Sequence, residues 1–351
     1  MKRQDGRWRS ILRSVLPLAA AACLAAVIPS VSAQPTNTVI GTVEIPLPAG
    51  MAVTPDGKYV YVASNAYNAL YVIDTATNTV APNTIALDGN PQYLAISRNG
   101  EQVLVADPGN YNGGVWTLPG NVSQIVGAST ATPSLGRTFS GMGLYPYDIG
   151  INPSSTLAWV SDLFQAQCVV IDLKNNTVLP QPVQTGDQPS GLVFADKGKY
   201  TYVVNYADNT VDKIDVATQL IVGDPIPVAS GPTDIKLSPD GTKLYVTCWS
   251  GAVSVISTAT NTVTATVQIT TSTLGNYWLK SALTPDGLYL YVPNQNAQSV
   301  VMVSTATNAI VGSPITLGQT PGVVAITPNG KYAYIVQMYN WTVAIVKITG
   351  G

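Results

Sequence analysis

The sequence predicts an all-β fold, a seven-bladed β-propeller with four antiparallel strands in each blade and an N-terminal strand that completes the last blade. Three observations lead to this prediction. A turn motif recurs seven times with a basic period of 43 residues, each repeat has the pattern of four strands, and the last repeat lacks a fourth strand. Strand-rich repeats of this length are typical of propellers, in which each blade packs on its neighbours around an axis.

The repeat is marked by a tight turn of the Pro-Asp-Gly type. The motif stands at residues 55–57, 239–241 and 285–287, returns as Pro-Asn-Gly at 328–330, and has weaker copies that end at Gly100, Ser155 and Gly198. Consecutive copies are 43 residues apart in four of the six intervals, 55 apart in the second and 46 apart in the fifth. The period is therefore 43 with two insertions.

Each repeat reads as four strands. A short strand such as 235–238 precedes the turn, and a β-branched and aromatic strand such as 59–63 follows it. A third strand, for example 70–73, runs into a second turn at 74–78, where Asp can cap backbone amides and Asn tolerates a left-handed conformation. A fourth strand, such as 262–269, closes the repeat.

The two ends of the repeat array complement each other. The seventh copy stops after its third strand, 343–348, whereas residues 35–45 match the Thr-Asn-Thr-Val strand that follows the third strand in other copies. We expect this N-terminal segment to pair with the last blade, because closing the ring removes two exposed sheet edges. An open solenoid is the alternative arrangement.

The first 33 residues are predicted to be a signal peptide. A basic head is followed by an apolar run at 15–28 and by Val31-Ser32-Ala33, which resembles a cleavage site. The apolar run is shorter than the roughly 20 residues that span a bilayer. We therefore expect an exported protein, periplasmic, extracellular or at the cell surface, whose residues 34–351 form a single propeller domain. A short membrane anchor is the alternative for this segment.

The composition excludes several classes of function. The chain has no His, so Ser-His-Asp relays, His-containing zinc sites and c-type haem attachment are ruled out. Acidic residues outnumber basic ones by 19 to 17, and Lys and Arg cluster only in the basic head, which argues against nucleic-acid binding. No cofactor is expected, apart from the candidate divalent-metal site described below.

The strand that follows the turn carries a recognisable signature. Tyr-Val-Ala-Ser-Asn at 61–65, Tyr-Val-Val-Asn at 202–205 and Tyr-Val-Thr at 245–247, with Ile-Asp-Thr-Ala-Thr-Asn-Thr-Val at 73–80, resemble the YVTN-family β-propeller repeat. The resemblance covers residues 36–349. It implies the propeller fold and, as one class of function, a secreted or surface-layer binding protein.

The same resemblance implies enzymes as a second class, since related seven-bladed propellers include lactonases, a streptogramin lyase and subunits of quinone-dependent dehydrogenases. The lactonase- and lyase-type sites generally rely on His or carboxylate clusters with a divalent metal. Because this chain has no His, no catalytic residue is carried over.

Binding sites in propellers tend to lie on the face that carries the loops between blades and the loops after second strands. Both insertions are expected there. The longer one is placed at roughly 127–144, with Arg137, Phe139 and Tyr145, and the shorter one, 270–276, leads into Tyr277 and Trp278. A neutral insertion is the alternative in each case.

Charged residues near the start of the innermost strands mark the candidate site. A buried unpaired charge costs several kcal/mol, so these side chains should face water, a partner or each other. The predicted ligand-binding residues, which would line a polar pocket, are Tyr93, Tyr147, Asp148, Asp234, Lys236, Trp278 and Lys280. The alternative is a set of ion pairs that plugs the channel mouth.

Asp107 and Asp162 end second strands, in a column of small or polar residues. We expect them to cap the loop backbone. The alternative is that they join Asp148 as ligands of a calcium ion, although the sequence has no Asp-x-Asp-x-Asp-Gly loop.

Two functions follow from these observations. The first is an exported binding or scaffold module for a small molecule, a carbohydrate or a protein, which neither binds nucleic acid nor spans a membrane. The alternative is a metal- and carboxylate-dependent lactonase- or lyase-type enzyme, with Asp148 or Asp234 as general base and Lys280 as electrostatic stabiliser. The lack of a recognisable nucleophile and base pair favours the binding module.

Overall fold

Seven antiparallel sheets of four or five strands follow one another along the chain, which confirms the predicted seven-bladed propeller. The computed structural model describes residues 34–109, 111–112, 115–116, 120–275 and 279–350. The predicted signal peptide, residues 1–33, lies outside the described residues, and so do Tyr277 and Trp278. Within the described ranges, no helix has the length and apolar character needed to cross a membrane.

The strand β1 (Thr36–Glu44) belongs to the last blade, and the other strands fill the blades in chain order. Blade 1 contains β2 (Pro48–Val53), β3 (Tyr59–Ser64), β4 (Ala69–Asp74), β5 (Thr79–Val80) and β6 (Ile85–Ala86). Blade 2 contains β7 (Leu94–Ile96), β8 (Gln102–Asp107), the hairpin of β9 (Tyr111–Asn112) and β10 (Val115–Trp116), β11 (Asn121–Val126) and β12 (Ser134–Ser140). Blade 3 contains β13 (Pro146–Ile151), β14 (Leu157–Asp162), β15 (Gln167–Asp172), β16 (Thr177–Val178) and β17 (Val183–Gln184).

The remaining blades have the same order. Blade 4 contains β18 (Pro189–Ala195), β19 (Tyr200–Asn205), β20 (Thr210–Asp215), β21 (Leu220–Ile221) and β22 (Ile226–Pro227). Blade 5 contains β23 (Pro232–Leu237), β24 (Lys243–Cys248), β25 (Ala252–Ser257) and β26 (Thr262–Gln268). Blade 6 contains β27 (Ala282–Leu283), β28 (Tyr289–Asn294), β29 (Ser299–Ser304) and β30 (Ala309–Thr316), and blade 7 contains β31 (Pro321–Ile326), β32 (Tyr332–Gln337), β33 (Thr342–Thr349) and β1. Short 3-10 turns lie at Asn65–Tyr67 and Asp196–Gly198.

The tight turns between first and second strands are set by the side chains of the repeat motif. In blade 1, the Thr54 hydroxyl donates to Asp56 Oδ1 at 2.6 Å, and the same oxygen accepts from the Lys58 backbone N–H at 3.1 Å. Gly57 has a φ of +73°, which glycine adopts without steric cost. The hydroxyl–carboxylate contact recurs in blades 5 and 6, so the motif fixes the turn locally.

Tyrosines of the second strands tie neighbouring blades together. The Tyr202 hydroxyl in blade 4 donates to Asn261 Oδ1 in blade 5 at 2.9 Å, and the Tyr334 hydroxyl in blade 7 donates to Asn78 Oδ1 in blade 1 at 2.6 Å. Both asparagines have a positive φ in the turn before the fourth strand. Each of these asparagines therefore shapes the turn of its own blade and accepts a hydrogen bond from a tyrosine of the adjacent blade. This explains why Tyr and Asn recur in the repeat.

The ring closes as the sequence predicted. The strand β1 pairs antiparallel with β33, with Val39 opposite Val346 and Glu44 opposite Thr342. The Tyr291 hydroxyl of blade 6 also donates to Asn37 Oδ1 at 2.8 Å. The N-terminal strand therefore supplies the fourth strand of blade 7 and leaves no unpaired edge on β33.

The longer insertion lies earlier than predicted. The strand β8 ends at Asp107 and β11 begins at Asn121, so most of the extra residues lie between the second and third strands of blade 2. The predicted position, residues 127–144, contains the ordinary fourth strand β12. That prediction was wrong because β12 is an outer strand in which Leu135 and Arg137 are exposed and only Phe139 is buried. Its sequence lacks the apolar alternation that marks a half-buried strand.

Candidate functional site

The molecule has two faces. We call the side with the Pro-Asp-Gly turns the turn face, and the side with the loops after second strands and between blades the loop face. First strands begin and second strands end at the loop face. The residue columns that the sequence singled out therefore meet in this half of the molecule.

Lys280 is the centre of a cluster on the channel axis. Its Nζ lies 2.9 Å from Asp148 Oδ2 in blade 3 and 3.6 Å from Asp234 Oδ1 in blade 5. It also donates to the Ser190 carbonyl oxygen in blade 4 at 3.3 Å. Lys280 is only 6% exposed, so its ammonium group joins four blades where water screens charge poorly. The axial cluster, as we call it, consists of Tyr93, Tyr147, Asp148, Asp234, Lys236 and Lys280.

Both carboxylate oxygens of Asp234 have partners. Lys236 Nζ lies 2.7 Å from Oδ1, and Ser281 donates its backbone N–H and its hydroxyl to Oδ2 at 2.9 and 2.8 Å. Burial opposes ionisation of this carboxyl group, but the two lysines and Ser281 outweigh burial and hold the pKa of Asp234 below its ordinary value. Asp234 is therefore a fixed anion and a poor proton acceptor.

Two tyrosine rings lie against Lys280. Its Nζ is 4.7 Å from the ring centre of Tyr93 and 5.8 Å from that of Tyr147, within the range of a cation–π interaction. The two rings meet edge to face with their centres 5.0 Å apart. Burial, reinforced by the neighbouring Tyr147, raises the pKa of Tyr93 well above its ordinary value. Both rings are thus neutral walls of the cluster.

The structure brings together six of the seven residues predicted to bind a ligand, and the seventh, Trp278, lies outside the described residues. The charged groups face one another across the channel. Asp148 Oδ2 accepts from the Leu192 backbone N–H at 3.1 Å as well as from Lys280. Ligand binding by these residues stays a prediction.

Two hollows flank the axial cluster. A cavity of about 370 Å³ extends toward the turn face between apolar residues such as Leu192 and Leu237. On the other side, a cleft of about 230 Å³ lies between blades 7, 1 and 2. Tyr93 borders both hollows, so the cluster separates them. We call the second hollow the loop-face cleft, and its walls include Leu47, Pro48, Asn65, Gln92, Met338 and Tyr339.

A larger hollow, about 670 Å³, lies elsewhere. It is a groove at the turn face between Pro285 of blade 6 and Pro328 of blade 7. None of the residues predicted to bind a ligand lines it. Its size alone does not make it the candidate site, because polar lining residues such as Asp286 and Asn329 already accept hydrogen bonds within the repeated tight turns.

Asp107 and Asp162 cap separate loops. Asp162 accepts from the backbone N–H groups of Leu144 and Tyr145 at 3.0 and 2.9 Å. Asp107 accepts from the Gly109 N–H at 2.8 Å, but its Oδ2 is buried without a partner, and burial raises the pKa of Asp107 to about 6. Over the ranges that the structure describes, Asp107, Asp162 and Asp148 do not come together as a group able to hold a metal ion.

The loop face carries a set of residues that the sequence analysis missed. Every strongly exposed aromatic side chain among the described residues lies there: Tyr67, Phe164, Trp249, Tyr339 and Trp341. Each follows the column of Asp107 and Asp162 by one to four residues. An aromatic residue one to four positions after the end of the second strand, present in blades 1, 3, 5 and 7, is the sequence signal that identifies these exposed side chains.

The loop face has few charges. In its described loops, the exposed charged residues are Asp88, Asp187 and Asp208, and no Lys or Arg is exposed. Amide side chains neighbour the exposed aromatics instead: Asn65 and Asn68 beside Tyr67, Gln165 beside Phe164, and Asn340 between Tyr339 and Trp341. This surface offers apolar rings, neutral hydrogen-bonding groups and a few carboxylates.

Comparison with known proteins agrees with the architecture. A family described as "Lactonase, 7-bladed beta-propeller" matches residues 145–310, just under half of the chain. The seven-bladed beta-propeller protein Rv1057 of Mycobacterium tuberculosis is 28% identical over 295 residues, which cover 79% of this chain and 64% of the relative. YwhL of Bacillus subtilis is 29% identical over 180 residues, 51% of this chain and 37% of the relative. The chain thus spans less than two thirds of each relative.

Superposition on a solved structure supports the same fold. The hydrazine synthase of Kuenenia stuttgartiensis superposes with a TM-score of 0.71 at 20% identity, covering 86% of this chain and 96% of that one. The protein is a seven-bladed β-propeller. At this identity the likeness shows the fold alone, and the resemblance to the YVTN repeat in particular stays a prediction.

Proposed function

We propose that the protein is an exported binding or scaffold module that holds its ligand or partner on the loop face. The observation that carries this proposal is that, among the residues the structure describes, the exposed aromatics are confined to that face. Aromatic side chains are enriched at binding surfaces because each buries a large apolar area with few rotatable bonds. An exposed set of them costs solubility, so its concentration on one face favours a docking role.

The propeller is suited to this task, because its loops stand on a rigid ring of sheets. Tyr67 and Trp341, from the loops of blades 1 and 7, contact each other edge to face with ring centres 6.4 Å apart. Trp249 and Phe164 belong to blades 5 and 3. The aromatic sites therefore surround the channel mouth, which favours an extended ligand or partner over one compact molecule.

Lactonase- or lyase-type catalysis is the alternative, and the partial match to the lactonase family supports it. The axial cluster counts against it. Asp234 is 1% exposed and has partners on both oxygens, and Asp148, whose side chain is 14% exposed, accepts on Oδ2 from both Lys280 and the Leu192 N–H. A general base needs an accessible oxygen within hydrogen-bonding reach of substrate.

The proposal is tested by retention of the full chain on purified cell envelope of the source organism. We expect the wild type to be retained and the triple variant Tyr67→Ala, Trp249→Ala, Trp341→Ala to be lost. Leu220→Ala with Leu288→Ala, at exposed positions of the turn face, is the matched control and should be retained. Equal retention of all proteins, or retention of none, would refute the proposal. Hydrolysis of gluconolactone above the buffer rate would favour the enzyme.

A further inference from the structure

The loop-face cleft has features of a ligand site. Leu47, Pro48 and Met338 form its apolar wall, and the polar residues Asn65 and Gln92 also line it. Tyr339, which is 63% exposed, stands at its rim. Apolar walls with a few placed polar groups are the usual composition of small-ligand pockets.

Gln92 is the most informative of these residues. The residue lines the cleft and is only 2% exposed, and its Oε1 has no hydrogen-bond partner. A buried amide oxygen without a donor costs free energy. Because this oxygen is shielded from solvent, the Gln92 side chain must turn toward the cleft to accept from a bound hydroxyl group, and that contact would relieve the cost.

The surroundings restrict the charge of that ligand. No Lys or Arg is exposed in the described loops of the loop face, and phosphate- or carboxylate-rich polymers draw their affinity from such cations. Amides dominate instead, and an amide both donates and accepts hydrogen bonds. Sugar hydroxyl groups do the same, while the C–H face of a pyranose ring stacks on an aromatic ring.

We propose that the loop face binds a neutral oligosaccharide chain, with one sugar ring in the loop-face cleft against Gln92 and Tyr339 and further rings on Tyr67 and Trp341. This inference rests on the proposed function, since it names the ligand class of the same face. The cleft holds roughly one ring by its volume of about 230 Å³. The aromatic contact from blade 7 to blade 1 extends the path outward.

A protein partner is less well matched to these contacts. The core of a protein interface is a contiguous apolar patch that excludes water. Here Asn340 separates Tyr339 from Trp341 in the chain and is itself exposed, as are Ala66 and Gln165 in the other aromatic loops. Rings alternating with amides suit a chain of hydroxylated rings better.

The test is isothermal titration of the full chain with cellohexaose, mannohexaose and N-acetylchitohexaose. Hexagalacturonate and the chitosan hexamer serve as anionic and cationic counterparts. We expect at least one neutral hexasaccharide to bind with a Kd below about 1 mM. Tyr339→Ala and Gln92→Met should each weaken that binding by about tenfold or more, and Leu220→Ala should leave it unchanged.

Gln92→Met also separates a ligand-binding role from a structural one. It keeps the side-chain shape but removes the unsatisfied oxygen, so the variant should melt no lower than the wild type while it loses affinity. A lower melting temperature with unchanged affinity would contradict the assignment. Binding that survives both Gln92→Met and Tyr339→Ala would do the same.

The outcomes also separate this inference from the proposed function. If none of the neutral sugars binds, or if only a charged one does, the oligosaccharide inference is overturned. The proposed function still stands when the triple loop-face variant loses retention on the envelope, and a protein recovered there by crosslinking from position 341 would then be the partner. If the triple loop-face variant is retained on the envelope as well as the wild type, the oligosaccharide inference and the proposed function are both refuted.

Discussion

Lys280 in blade 6 reaches across the channel axis to Asp148 in blade 3, with 2.9 Å between Nζ and Oδ2. The pair joins blades that are not neighbours in the ring. Asp234 of blade 5 and the Ser190 carbonyl oxygen of blade 4 share the same ammonium group. The axial cluster thus acts as a hub that holds the inner strands in position beneath the loop face.

Replacing Lys280 by Met should destabilise the fold by about 3–5 kcal/mol, because Asp148 and Asp234 then lose a shared counter-charge in a buried site. Adding Asp148→Asn should restore part of that loss. Lys58→Met is the control: Lys58 is 68% exposed and 3.3 Å from Asp56, so its loss should cost less than about 1 kcal/mol. Urea unfolding measures all four proteins, and equal costs for both lysines would contradict the buried hub.

Asp107 should give the stability a specific pH dependence. Burial raises the pKa of Asp107 to about 6 in the folded chain, against an ordinary value of 3.8. Because the folded state holds this proton more tightly, the stabilising contribution is complete below about pH 4 and is lost as the pH rises through 6. The free energy of unfolding of the wild type, relative to Asp107→Asn, should fall by roughly 2–3 kcal/mol between pH 4 and pH 7.

The control variant, Asp172→Asn, tests a carboxyl group whose contribution to the free energy of unfolding should change with pH in the opposite direction. A backbone hydrogen bond from Asn175 is the first cause that lowers the pKa of Asp172, which is partly exposed at the end of β15. The contribution of Asp172 should therefore be present above pH 4 and be lost as the medium is acidified. Urea unfolding of Asp172→Asn across the same range checks this. The same slope for both variants would refute the assignment to Asp107.

Gly50 should not tolerate a side chain. A Cβ at this position would meet the carbonyl oxygen of Gln92 and lie 2.7 Å from the Cα of Tyr93, and both are backbone atoms of the next blade. Gly50→Ala should therefore cost more than about 2 kcal/mol. At Gly41 no atom lies within 4 Å of such a Cβ, so Gly41→Ala is the control. Thermal melting compares them, and equal melting temperatures would contradict the blade contact.

Ring closure can be tested by removing the N-terminal strand. A chain that begins at Pro46 lacks β1 and therefore the buried side chains of Val43 and Ile45. It also leaves β33 as an exposed edge, so its melting temperature should fall sharply and it should aggregate. Val39→Thr, at a site that is 41% exposed, should change stability by less than about 0.5 kcal/mol. A truncated chain that melts like the intact one would refute closure.

The architecture could be predicted because it depends on local, repeated chemistry. The Thr54–Asp56 contact forms the same turn wherever the motif occurs, and the last repeat visibly lacks a strand. The axial residues could be named for the same reason, since Asp148, Asp234 and Lys280 interrupt a column of otherwise uncharged residues.

The geometry of the site could not be predicted. Nothing in the sequence order indicates that Lys280 meets Asp148 across the axis, because the contact depends on how far each blade is rotated around the ring. The sequence predicts a loop where β12 lies, because Leu135 and Arg137 on this outer strand are solvent-exposed and break the apolar alternation. The exposed aromatics are hard to find from the sequence because they stand at a variable distance, one to four residues, after the second strand and so form no fixed column in the repeat.

The most direct measurement is hydroxyl-radical footprinting of the full chain, free and bound to purified cell envelope. Binding at the loop face should lower the oxidation of Tyr67, Trp249 and Trp341, which are 53%, 36% and 48% exposed in the free protein. Oxidation of Leu220 and Leu288 at the turn face should not change. Protection of the turn-face leucines with no protection of the loop-face aromatics would contradict the account.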